Sequence, residues 1–454
     1  MQARSLIFFA VLINLLLSYL MLLYNQPINI DGILYLHAAT AYLQQGFHGA
    51  LNIYPWPFYS VLIAKISTLL NISLLNTGFI LNSVFTSVLI IFFILTLKTF
   101  GNTPKTLLWG AAVILLCPEL NHDRYNILRD IPYYGLFITS LWCYIRFLQT
   151  EKISYGVAWQ VVLIFAALFR VEGIVFLVIT PFITPIITKK LGDFLKLSWL
   201  SILLFLCAVI CFRHALNFGR LPDIIAYMNV HQFFGSFQEK IVGLKPYLGI
   251  VGQDSAEIFL IGGLLGILII AFITTFGIFS SLLLGYGLYK KLLPENKSAQ
   301  LGLLVYISIN ILILCVFMSH MLFMNWRYIF PLALVCLLLL PEILAKLNKL
   351  WIGFVYLIYI AISSFGQFGP SNAYLVDAGE WIANNTPAAT TIYTPDVSVA
   401  FYAQRSEVSD QKKADYSIIV SRIHAPTPLP QNTSPVVSFH NHRGDTAYIF
   451  KSKP

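Results

Sequence analysis

The chain has 454 residues, of which 58% are hydrophobic and only 11% charged, and its mean hydropathy is +0.76. So few charges cannot cover the surface of a water-soluble domain, so most of the chain is expected to face lipid. The net charge of +9 comes from Lys and Arg scattered in ones and twos between apolar segments. That is the pattern of membrane loop anchors, and it excludes the clustered cations of a nucleic-acid-reading face.

Ser5 to Tyr24 is apolar for about 20 residues, long enough to span, with Arg4 before it and no small-residue cleavage site after it. It reads as an anchor. A polar, aromatic first loop, 25–56, follows. Pro57–Leu70, at about 14 residues, is too short to cross a core of about 30 Å and reads as an interfacial or re-entrant helix. Spans are then expected at Thr77–Leu97, Leu107–Pro118, Pro132–Phe147, Tyr155–Phe169, Ile174–Ile187 and Leu197–Ala215. Others follow at Ile258–Tyr289, Leu301–Ser319, Tyr328–Leu344 and Trp351–Phe368, giving about 11 in all. Lys98, Lys105, Arg146, Lys152, Lys189, Lys190, Lys196, Lys290, Lys291, Lys297, Lys346 and Lys349 mark the cytoplasmic ends. The N-terminus is therefore expected inside and the tail outside, with external loops at 25–56, 119–131 and 216–256. Ile258–Tyr289, about 32 residues long, fits one tilted helix or a tight helical pair, and the lysine pattern favours one helix.

The tail is different in kind. From Ser371 onward polarity rises and a two-residue alternation appears. Ser371–Asn384 reads as a helix stopped by Asn384-Asn385-Thr386-Pro387. Thr390–Tyr393, Tyr416–Val420, Val436–Phe439 and Ala447–Phe450 read as strands, with a short helix at Val397–Ala403 and an exposed connection at Pro426–Pro435. The expected architecture is thus an α-helical polytopic membrane domain, 1–369, with a small external α/β domain, 370–454. All six cysteines fall in apolar segments, and Cys207 and Cys211, one turn apart, lack a His or carboxylate partner and read as packing.

The charged clusters worth a functional reading fall at span ends on one expected face, and the span interiors are almost free of charge. That favours work at a surface over ion passage through the middle. In the first loop Asp31 opens an amphipathic helix (Asp31-Gly32-Ile33-Leu34-Tyr35-Leu36-His37), where it serves equally as a helix cap or a reactive carboxylate. The aromatic run Tyr54-Pro55-Trp56-Pro57 follows. In the second loop, Asn121-His122-Asp123-Arg124-Tyr125-Asn126-Ile127-Leu128-Arg129-Asp130 packs two Asp, two Arg and a His together, a density that points to function. The third cluster is Asn325-Trp326-Arg327-Tyr328, where a lone Arg opens a span: a planar fork for a phosphate, or an interfacial anchor. Arg170-Val171-Glu172-Gly173 reads as a turn with a local ion pair. His440 and His442 lack a third metal ligand.

These residues resemble a family. The Asp31 loop with Tyr35, Ala38 and Gly46, followed by Tyr54-Pro55-Trp56-Pro57, resembles the polytopic GT-C glycosyltransferases. Within them it is most similar to glycosyltransferase family 39, the protein O-mannosyltransferase and aminoarabinose transferase group. Arg327-Tyr328 with Pro331 resembles that family's late Arg-Tyr motif. The tail segment Glu380-Trp381-Ile382-Ala383-Asn384-Asn385-Thr386-Pro387, with Tyr393, Asp396, Phe401-Tyr402 and Arg405, is similar to the external domain of bacterial members.

The resemblance implies an inverting transferase of a bacterial inner membrane. It would take a polyprenyl-phosphate sugar donor from the surrounding lipid and pass the sugar to a lipid, glycan or protein acceptor. It implies Asp31 as general base and Asp130 as the second acidic residue of the catalytic pair. Arg327, with Tyr328, Arg129, Arg124, Tyr35, His122 and Tyr54, would bind substrate. Many relatives carry a second acid after the first-loop Asp, where this chain has Gly32, so the metal is left unassigned, and no other cofactor is implied. A lipid-linked glycan flippase would show internal repeats and mid-span ionisable groups, and neither is found. An inactive scaffold is disfavoured by the presence of Asp31, Asp130 and Arg327.

Overall fold

The computed structural model describes residues 3–23, 26–101, 103–211, 219, 230–347, 349–366, 372–429 and 434–451. The expected domain boundary at 369–370 and most of the first half of the 216–256 loop lie outside these residues. The chain is largely helical with one small sheet in its tail, as the apolar run lengths and the polar, alternating tail predict.

The helices run α1 (Ala3–Leu22), α2 (Ile30–Ile53), α3 (Phe58–Leu70), α4 (Leu74–Lys98), α5 (Pro104–Leu115), α6 (Pro118–His122), α7 (Asp130–Thr150), α8 (Ile153–Phe169), α9 (Glu172–Thr188) and α10 (Gly192–Cys211). Then come α11 (Val230–Leu244), α12 (Ala256–Phe276), α13 (Ile278–Tyr289), α14 (Lys297–Met321), α15 (Trp326–Leu337), α16 (Leu340–Lys346) and α17 (Leu350–Phe365), with α18 (Ala373–Asn385) and α19 (Val397–Ala403) in the tail. Among the described residues, Ala3–Leu22, Leu74–Lys98, Gly252–Phe276, Lys297–Met321 and Trp326–Lys346 are long and apolar enough to cross a membrane. The described parts of the other expected spans lie mostly in helices that do not meet that standard of length and apolarity.

One expectation is corrected. Ile258–Tyr289 is not a single helix: it breaks at Gly277, whose φ of 86° lies in the region that favours glycine. α12 ends there and the shorter α13 begins afresh.

Two compact units divide the chain. The first comprises 1–14, 81–121 and 129–361. Its centre is a layer of buried aromatics from α7, α8, α9 and α14. Tyr306 packs against Phe176 at 4.8 Å and Phe137 at 5.3 Å between ring centroids. Its hydroxyl accepts the Trp159 Nε1–H at 2.9 Å and shares a hydrogen bond with Ser140 Oγ at 2.8 Å. Tyr144 and Thr184 hydroxyls pair at 2.9 Å. Water is scarce at such depth, so polar groups must satisfy one another, and these bonds tie four helices together. Small residues allow close approach elsewhere: a Cβ on Gly135 would lie 2.7 Å from the Phe85 carbonyl oxygen, so glycine lets α7 lie against the backbone of α4.

The second unit comprises 15–80, 122–128 and 362–454. α2 bends at Gly46, φ 69°, and α3 folds back on it. The tail holds β1 (Thr391–Tyr393), β2 (Ser406–Glu407), β3 (Tyr416–Ser421), β4 (Val437–His440) and β5 (Thr446–Lys451) in the order β2-β1-β3-β5-β4. β1 is parallel to β2 and β3, while β5 is antiparallel to β3 and β4. Ile392, Ile418 and Ile449 from the sheet meet Tyr374, Ala378, Ile382 and Val399 from α18 and α19 in one core. Asp396 caps α19 by accepting the Ser398 and Val399 N–H groups, and Arg405 closes α18 by donating to the Ala383 and Thr386 carbonyls at 2.6 and 2.5 Å. α19 also meets α2: the Tyr402 hydroxyl accepts the Ile28 N–H at 3.4 Å, and Phe401 lies 6.0 Å from the His37 ring.

Candidate functional site

In the first unit, three helix starts bring charged residues together. α7 begins at Asp130. The α8–α9 turn places Arg170 in extended backbone at the end of α8, with Glu172 opening α9. That turn is tight because position 173 has no side chain: a Cβ there would sit 2.8 Å from the Ala167 nitrogen. α15 is capped by Asn325, whose Oδ1 accepts the Arg327 N–H at 3.1 Å, which sets Arg327 in the first turn.

Asp130 divides its two carboxylate oxygens between two arginines. Oδ1 pairs with Arg170 Nη1, and Oδ2 accepts from Arg327 Nη2 at 2.5 Å. Arg170 is held further by Glu172, whose Oε1 accepts from both Nη2 and Nε, the latter at 3.1 Å. Its guanidinium lies 4.7 Å from the Tyr328 ring centroid and 5.6 Å from that of Tyr133. Tyr328 is in turn stacked on Phe317 at 4.1 Å. The Arg327 carbonyl accepts from the Tyr134 hydroxyl at 3.0 Å. Side-chain exposure separates the roles: Asp130 is 2% and Arg170 5% exposed, against 25% for Arg327. Arg327 is the member that reaches outward.

Burial by itself would raise the Asp130 carboxyl, but the charges of Arg170, Arg327 and Arg129 overcome it and bring the pKa down to about 2. Glu172 is likewise pushed up by burial and drawn down further by Arg170 and Arg129, with a net fall. Both acids therefore stay ionised beside the guanidinium groups of Arg170, Arg327 and Arg129. Such a cluster suits an anion.

Arg129 precedes α7, half-buried beside this cluster. Within the second unit, Asp31 sits half-buried in the first turn of α2, and the cap position belongs to Asn29. Asn29 turns its side chain to the Ile127 N–H at 3.0 Å. Gly32 is a packing requirement: a Cβ there would lie 2.7 Å from Asn29 Oδ1 and 3.1 Å from Ile127 Cβ. Arg124 is buried and donates to Ser18 Oγ of α1 at 2.9 Å. Tyr35 and Tyr54 are also buried, edge to face at 5.4 Å, and knit α2 together. His122 is exposed, its ring 5.9 Å from Tyr125. Among the described residues, no three His, Cys, Asp or Glu side chains group as metal ligands. Asp130 has both oxygens on arginines, so the donor set around it does not fit a cation.

Arg170 and Glu172 are the members that the sequence signal understated. Two residues apart, they look like a local pair, and the contact with Asp130 spans 40 positions.

No protein-family profile matches the sequence, and no curated protein matches it significantly. The fold does have a solved counterpart. The chain aligns over 100% of its length, and over 99% of the other chain, with ArnT from Cupriavidus metallidurans in the apo state, at TM-score 0.55 and 12% identity. The Archaeoglobus fulgidus oligosaccharyltransferase, solved with a tethered acceptor peptide, aligns at TM-score 0.48 and 13% identity over 91% of this chain and 64% of its own.

Proposed function

We propose that the chain is an inverting glycosyltransferase that works at the outer face of a bacterial inner membrane. It takes a sugar from a polyprenyl-phosphate donor and passes it to a hydroxyl or amine of a lipid, glycan or protein. The observation that carries this reading is the arginine cluster in which Arg327, at 25% more exposed than Asp130, Arg170 or Glu172, is oriented by a carboxylate that stays ionised. Arg327 holds the donor phosphate and stabilises the charge it gains as the bond to the anomeric carbon breaks. The acceptor oxygen or nitrogen forms the new bond at that carbon from the opposite side, and the phosphate leaves with the electron pair. Asp31 takes the acceptor's proton. Asp130 orients Arg327, since both its oxygens are engaged.

The test is sugar transfer by purified protein in bilayers, using a panel of labelled polyprenyl-phosphate sugars. Arg327→Ala is expected to lose roughly 10²–10³-fold, as removal of a preorganised donor does elsewhere. Arg327→Lys recovers only part, because a point charge lacks the fork. Asp31→Asn, nearly isosteric, is expected to keep donor binding and lose roughly 10²–10⁴-fold in transfer. Transfer by Asp31→Asn at the wild-type rate ends its assignment as base. Translocation of a lipid-linked sugar without a transfer product makes the protein a flippase.

A further inference from the structure

The first turn of α2 carries Asp31 but is not fixed by its own cap. Asn29 stands at the cap position and makes no side-chain bond to the helix, because its Oδ1 accepts the Ile127 N–H at 3.0 Å. The first amides of a helix have no partner within it, and a start without a side-chain cap is prone to fray. Residues of the tail, in the same compact unit, hold this start in place. The Gln26 side-chain oxygen accepts the Asn372 N–H at 3.1 Å, just ahead of α18. The Tyr402 hydroxyl of α19 accepts the Ile28 N–H at 3.4 Å. Beyond Asp31, the His37 ring lies 6.0 Å from Phe401, which meets Tyr402 edge to face at 5.2 Å. Tyr402 is itself set by close packing: a Cβ on Gly379 would lie 2.6 Å from the Tyr402 Cβ and 2.9 Å from the Val399 carbonyl oxygen, so α18 lies directly against that turn of α19. Two adjacent aromatic residues of the tail thus bracket Asp31, one at Ile28 before it and one at His37 after it.

We infer that Tyr402 is a positioning residue for Asp31: through its hydroxyl the tail domain sets where α2 begins, and so where the Asp31 carboxylate stands. This rests on the reading of Asp31 as the base that takes the acceptor's proton. It adds that the tail domain has a part in the transfer step without supplying a reacting group.

The test uses the full chain in lipid nanodiscs. Tyr402→Phe removes the hydroxyl and keeps the ring packed. It is expected to lose about tenfold in kcat for sugar transfer, since a reacting group displaced by about 1 Å can cost about 10²-fold. Its KM for the donor, and its affinity for decaprenyl phosphate as a probe, stay at the wild-type values. Amide exchange over 26–33 becomes faster, while exchange over β3 and β5 is unchanged. The deciding measurement is a mutant cycle with Asp31→Asn, followed in single turnovers of a labelled polyprenyl-phosphate sugar. Once the carboxylate is gone its placement no longer matters, so Tyr402→Phe is expected to cost nothing further in the Asp31→Asn protein. A purely structural role of Tyr402 would cost the same factor in both backgrounds.

The inference is overturned if Tyr402→Phe transfers at the wild-type rate, or if it loses the same factor with and without the Asp31 carboxylate. If Tyr402→Phe shows no cooperative melting transition, Gln26→Ala, which removes a second bond from this segment to the tail, takes its place under the same two criteria. Transfer by Asp31→Asn at the wild-type rate, or no transfer by wild type from any donor, sinks the functional reading itself. Those outcomes are distinct from an impaired Asp31→Asn beside an unaffected Tyr402→Phe, which sinks only the role of Tyr402.

Discussion

Asp130 shows how two arginines decide the state of one acid. With its pKa drawn to about 2, it stays charged in the folded protein between about pH 4 and 2, where the unfolded chain, with a carboxyl near 4, is losing its charge. A depressed carboxyl contributes stability that is fully present above the unfolded pKa and lost as pH falls through the folded one. The contribution of this group to the wild-type melting temperature is therefore expected to be constant between pH 5 and 8, and to be lost from about pH 4 down to about 2 as the ion pairs are protonated apart. Asp130→Asn should melt lower at neutral pH and show a shallower acid decline. Parallel acid declines in the two proteins would show that the pairing with Arg170 and Arg327 does not hold the carboxyl down. Asp130 and Arg327 were legible as candidates from their density and from their position at span ends. Their union through Arg170 was not, because nothing in a two-residue spacing reports a contact 40 positions away. The edge-to-face packing of Tyr35 and Tyr54, both buried, was not legible either, because no periodic pattern links the two positions.

At the scale of elements, α6 holds a second titrating group of opposite sense. Burial raises the Glu119 carboxyl to about 7, and Cys117 Sγ lies 3.5 Å from Oε2 as its hydrogen-bond donor. A raised carboxyl binds its proton more tightly in the folded state. Its stability contribution is present at or below the ordinary carboxyl value of 4.5 and lost as pH rises from there toward 7. Glu119→Gln, which cannot ionise, should match wild type in melting temperature at pH 5 and exceed it at pH 8. No gain at pH 8 would mean that α6 opens to water. Elements with strong periodicity came through from sequence close to their observed limits, α19 at Val397–Ala403 among them. The failures have local causes. Gly277 broke a run whose hydropathy is continuous across it. β2, two residues long, offers no alternation to read.

For the molecule as a whole, the expected sidedness is open to a direct test. Single cysteines replacing Asn52, His122 and Ser434, all exposed, are expected to react with an impermeant thiol reagent applied to the outer face. Those replacing Lys152 and Glu295, also exposed, should react only after lysis. Labelling of the Ser434 replacement only after lysis would put the tail on the cytoplasmic side and overturn the span count. The helical class and the α/β tail were readable because composition and run length act along the chain. The split into two units was not, because it joins stretches of sequence that lie far apart.

That joining bears on how the protein is made. The unit that carries Asp31 combines 15–80 with 362–454, and Tyr402 reaches back to the Ile28 amide, just ahead of Asp31. During synthesis the first-loop helix α2 leaves the ribosome long before its partner α19. Until then α2 has no α19 to rest against, and the Tyr402 contact just ahead of Asp31 is missing. The nascent chain thus forms the α2–α19 contact only once the helices between them have been made.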